Sequence, residues 1–84
     1  MKDEIFFDIC NSLDKERKLS EWEVDELYDL IDILTRHFKD KTKATDWFFR
    51  ENHFLHNKAP FAMINKGRVF EVRKFARTFF LTRN

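Results

Sequence analysis

Apolar residues return along this chain at helical spacing, and nowhere more regularly than between residues 21 and 38. Val24, Leu27, Tyr28, Ile31, Leu34 and Phe38 fall on one stripe there, and Leu30 and Ile33 widen it. The spacing predicts the longest helix of the protein, central to any core. Its start is marked by Ser20 followed by Glu23, a capping box in which each side chain satisfies the other residue's backbone N–H. Acidic residues gather early in this segment (Glu21, Glu23, Asp25, Glu26), while Arg36, His37 and Lys39 come late, as the helix dipole favours.

Upstream, residues 3–13 place Ile5, Phe6, Ile9, Cys10 and Leu13 on one helical face, with Asp3 available as a cap. Phe7 points off that face. Either the helix is covered on two sides or Phe7 marks a contact surface, and the first is favoured because a lone exposed apolar residue rarely signifies. Residues 11–18 are polar and predict a fraying end and a connector. Downstream, a third helix is expected over residues 42–50, carrying Ala44, Trp47 and Phe48, and then a loop over 52–57. A short helix follows over 60–66, opened by Pro60, whose missing N–H needs no partner at a first helical position, and stopped by Gly67.

The last helix, over 68–81, has two faces. Val69, Val72, Phe75, Ala76, Phe79 and Phe80 share one, and Phe70, Arg73, Lys74, Arg77 and Leu81 share the other. A solvated face has little need of large apolar residues, and arginine with aromatics often dominates interface energies. Phe70, Arg73, Lys74, Arg77 and Leu81, with Arg83 just beyond, are therefore the candidate partner-binding residues. The alternative is that Phe70 and Leu81 tuck against the ends of neighbouring helices.

Composition narrows the class. With 84 residues, one Gly and one Pro, the chain predicts one small all-α domain of about five helices. Eleven phenylalanines predict a core built largely from rings. The net charge of +1 is unevenly spread: residues 1–40 hold 12 acidic and 6 basic side chains, residues 41–84 hold 3 and 10. Such asymmetry points to an acidic partner for the second half or to complementary faces within one fold. One cysteine permits no internal disulfide, and no apolar run approaches the roughly 18 residues of a membrane span. The expected location is the cytoplasm, without membrane contact.

Chemistry is sparse. His53 and His56 form a His-x-x-His in a loop without the further ligands that a closed zinc site needs. Cys10 lies on an apolar face, no phosphate-cradling glycine loop is present, and no nucleophile has an evident base. Neither enzyme activity, nor a cofactor, nor a metal is expected.

The stretch from Ala44 to Gly67 carries a resemblance. Ala44, Trp47, Asn52, Leu55, Pro60, Ile64 and Gly67 follow in order the motif of the toxin-binding domain of Xre/MbcA/ParS antitoxins. Upstream, Leu19 and Ser20, the long helix and Phe38 to Asp40 are similar to the family's preceding segment, so the resemblance spans about residues 18–80. The chain departs from the pattern at His56 and Asn57, where glycines are usual, and at Ala59, where a Ser or Thr usually caps the next helix. Asn57 can still adopt the left-handed conformation, and loss of the hydroxyl cap costs about 1 kcal/mol.

The resemblance implies two parts, an N-terminal helical extension over residues 1–17 and a toxin-binding helical domain over 18–84. It implies binding to a RES-domain toxin that depletes NAD, and neutralisation by blocking its active-site cleft. Trp47, Asn52, Pro60 and Gly67 would be scaffold. The DNA-reading helix-turn-helix of many such antitoxins has no counterpart in residues 1–17, which are too few and acidic, so direct DNA binding is not expected. Two other classes remain: a nucleic-acid-associated protein using the basic second half, and a homo-oligomer that hides Phe70 and Leu81 against itself.

Overall fold

The computed structural model describes residues 1–81. Among these residues there are five α-helices and no strand: α1 (Lys2–Ser12), α2 (Glu21–Phe38), α3 (Lys41–Phe49), α4 (Pro60–Asn65) and α5 (Val69–Ala76). A 3₁₀ turn at His53–Leu55 precedes α4, and a π-helical turn at Arg77–Leu81 continues α5. The all-helical fold is as the periodicity predicts. The helix limits follow within a residue or two, except that the last helix changes pitch at Arg77.

Local chemistry explains the boundaries. The capping box forms at α2, with the Glu23 N–H donating to Ser20 Oγ at 3.4 Å and the Ser20 N–H donating to Glu23 Oε1 at 2.9 Å. Lys39 ends this helix in the left-handed region at φ 56°. Asp40 then caps α3, accepting from the Lys43 N–H at 3.0 Å. At α1 the expected cap is absent. Met1 is the N-cap, and Asp3 instead accepts from the Tyr28 hydroxyl at 3.0 Å, tying α1 to α2.

The loop keeps its turn without glycines. Asn52 Oδ1 accepts from the Phe54 N–H at 2.8 Å, and both His56 and Asn57 take positive φ, 58° and 63°. Pro60 occupies the first turn of α4 behind Ala59, which contributes no side-chain cap. Gly67 stops the helix region at φ 83°, where an added Cβ would also stand 3.4 Å from an Arg17 nitrogen.

Helix α2 lies at the centre, packed by α1, α3 and α5, while α4 links α3 to α5. Helices α2 and α5 run side by side in the same direction: Glu23 lies by Gly67, Glu26 pairs with Arg73, and Phe38 meets Phe80. Residues 1–17 belong to this one core, since Ile5 and Ile9 are fully buried in it with Leu27, Leu30, Ile31 and Leu34. The connector is tied rather than frayed. The Asp14 N–H donates to Asn65 Oδ1 at 3.1 Å, Arg17 Nε donates to the Asn65 carbonyl at 3.1 Å, and Arg17 pairs with Glu23.

One expectation holds only in part: Phe48 is in the core, and Phe6, Phe38, Phe61, Phe75 and Phe80 pack against it from outside. Of the eleven phenylalanines only Phe48 is fully buried; five are half-buried and Phe7, Phe49, Phe54, Phe70 and Phe79 are exposed. Apart from Phe48 and Met63 the core is aliphatic, and the other rings stand around it. Phe7, at 67% exposure, is not covered by a second layer. Fifteen buried apolar residues leave little room for bulky rings inside a domain of this size.

Candidate functional site

Four of the six candidate residues share one solvent-facing strip. Phe70 and Leu81 are 45% and 46% exposed, and Lys74 and Arg77 stand between them, also exposed. Their positions follow from helical spacing, which repeats every three to four residues. Arg83 lies outside the described residues.

Arg73 behaves differently. Its Nε donates to Glu26 Oε1 at 2.8 Å, and its guanidinium carbon sits 5.0 Å from the centre of the Phe70 ring. Both charged side chains are more than four-fifths covered. Arg73 thus fastens α5 to α2 and props Phe70 outward, rather than offering a free charge. Helical phase alone puts it on the exposed face; the proximity of α2 turns it inward.

Pairing also sorts the other charges. Arg68 grips Glu71 through two contacts of 2.8 Å, which holds the Glu71 carboxyl below its ordinary range. Within the described part of α5 and the π-helical turn, Lys74 and Arg77 are therefore the cations that carry no ion pair. The strip is basic and apolar with its charges uncommitted.

Apart from this strip, an open groove of about 530 Å³ lies between the end of α2, α3, the loop and the π-helical turn, and none of the four strip residues lines it. Phe38, Trp47, Phe54, Phe79 and Phe80 line it. Phe80 meets Phe38 at 5.9 Å and Trp47 at 6.0 Å, while Phe54 meets Phe79 at 5.2 Å and Phe79 stacks on Phe75 at 5.4 Å. The change of pitch after Ala76 contributes here, because a π-helical turn advances each residue by a smaller angle than an α-helix. Phe79, which 100° spacing sends to the core face, is 40% exposed. Sequence reasoning missed this groove; its one visible sign was Phe54, a large ring inside a polar loop.

The remaining reactive groups do not converge. Burial pushes the Cys10 thiol up, away from the thiolate form that reacts. His53 stands edge-on to Phe54 at 5.7 Å. Among the described residues no three His, Cys, Asp or Glu side chains are grouped to hold a metal ion. None of the described helices is long and apolar enough to cross a membrane.

What this arrangement can do chemically is bind: exposed rings supply area, and two uncommitted cations supply orientation. Comparison of the chain with protein-family models, with curated proteins and with solved structures finds no match in any of the three.

Proposed function

We propose that this protein is an antitoxin-like inhibitor that binds a RES-domain, NAD-depleting toxin and blocks its active-site cleft. The observation that carries the reading is the exposed strip of Phe70, Lys74, Arg77 and Leu81, with its two unpaired cations. A cleft that accepts a pyrophosphate-containing cofactor offers anionic-ligand chemistry that such a strip can cover.

The motif residues support the reading through the work they do. Ala44 and Ile64 are fully buried, Leu55 and Pro60 are buried, Asn52 caps the 3₁₀ turn, and Gly67 takes a left-handed conformation. Trp47 packs edge-on to Phe48 at 5.3 Å. These are packing and turn-forming roles, compatible with the scaffold reading of Trp47, Asn52, Pro60 and Gly67. Binding is assigned to Phe70, Lys74, Arg77 and Leu81, and Arg73 is a positioning residue behind them.

The test is co-purification of the tagged chain with the product of its neighbouring gene, followed by NAD consumption by that product with and without the chain. A stable complex and suppressed NAD loss are expected. No complex and no suppression would remove the reading.

A further inference from the structure

The outward faces of α2 and α5 carry opposite charge. On α2, Glu21, Asp25 and Asp29 recur every four residues, all exposed and none in an ion pair among the described residues. On α5 and its continuation stand Lys74 and Arg77, also exposed and, among the described residues, without an ion pair. The Glu26–Arg73 bridge joins the two helices at this surface, and one turn before it on each helix stands an exposed ring, Trp22 at 54% and Phe70 at 45%.

We infer that this surface is a self-association face whose occupant is a second copy of the chain. Because α2 and α5 run in the same direction, a two-fold axis parallel to them lays the α2 of each copy on the α5 of the other. Register then follows from the bridge. With the bridged pair Arg73 and Glu26 taken as the point of register, Asp25 and Asp29 bracket the level of Lys74 and approach that of Arg77, and Trp22 falls within about a turn of Phe70. Each acidic stripe meets a basic one, each indole meets a phenyl ring, and both sets of contacts form twice. The opposite arrangement, α2 on α2, would set three carboxylates against three.

Magnitude sets the expected strength. Two adjacent helices over some thirteen residues present a footprint of roughly 20 Å by 20 Å, about half of the ~800 Å² per partner of a standard stable complex. The dimer is accordingly a micromolar one, built largely on screened charge. It shares Phe70, Lys74 and Arg77 with the proposed toxin face, so dimer and toxin contend for it; the inference itself does not depend on the toxin.

Sedimentation equilibrium of the full chain, from about 5 to 500 µM, reads this directly. The expected result is a monomer–dimer equilibrium whose Kd weakens about tenfold or more between low and high salt. Asp25→Lys with Asp29→Lys, and separately Lys74→Glu with Arg77→Glu, should each leave a monomer with unchanged helical circular dichroism. Mixing the two folded variants should restore a dimer, since the reversed stripes match each other. A chain that stays monomeric throughout, variants that still self-associate, or folded variants that fail to pair on mixing would each overturn the inference. Growth past the dimer mass would overturn the two-fold arrangement.

Discussion

Arg73 and Glu26 form a bridge of 2.8 Å between α5 and α2, with both side chains more than four-fifths covered. It separates two kinds of arginine on one helix: one that builds the surface and one, Arg77, that the surface presents. Arg73→Glu would set two carboxylates together in a poorly solvated place. A loss of about 2–4 kcal/mol in urea unfolding is expected, partly recovered by adding Glu26→Arg.

Lys74→Glu with Arg77→Glu provides the contrast. Both residues are exposed and carry no ion pair among the described residues, so stability should change by no more than about 0.5 kcal/mol, while affinity for the proposed toxin partner should fall at least about tenfold. Calorimetric titration with a catalytically inactive toxin measures the second, and urea unfolding the first. Unchanged affinity would move the interface elsewhere, most directly to the aromatic groove.

Stability should fall with acid through one identifiable carboxylate. Arg17 holds Glu23 below its ordinary range. Because the folded-state value lies below the unfolded one, the contribution is present above the unfolded-state pKa of about 4.3 and disappears as pH falls through the folded-state value. Glu23→Gln should therefore be less stable than the parent at pH 7, and the gap should close below about pH 4. A gap independent of pH would mean that packing, not charge, makes the difference.

Thr45 offers a change in the opposite direction. Its hydroxyl is buried and has no hydrogen-bond partner among the described residues. Thr45→Val removes the unsatisfied oxygen at nearly constant shape and should stabilise the fold by about 1 kcal/mol. A midpoint shift to lower urea would show that the hydroxyl has a partner in solution.

Removing residues 1–17 should abolish cooperative unfolding of what remains. The deletion takes Ile5 and Ile9 from the core and Arg17 from Glu23. Each fully buried aliphatic side chain is worth about 2–5 kcal/mol when truncated, a large share of the stability of a small domain. A sharp unfolding transition for residues 18–84 alone would contradict this.

The amino-acid sequence by itself determined the helices, because periodicity, the Ser20–Glu23 capping box, Pro60 and Gly67 act through neighbours within a few residues. It also determined that Phe70, Lys74 and Arg77 share one side of the last helix, since helical phase is a local property up to the change of pitch at Arg77. Tertiary structure decided the rest. Helix α2, distant in sequence, drew Arg73 into a bridge, and Asp14 and Arg17 turned a polar connector into an anchor on α4. The limited interior volume put aliphatic side chains inside and left ten of the eleven phenylalanine rings half-buried or exposed around them. The π-helical turn carries Phe79, which stands beside Phe54 at the groove. These outcomes depend on which surfaces meet across long stretches of chain, and no spacing within a single helix encodes that.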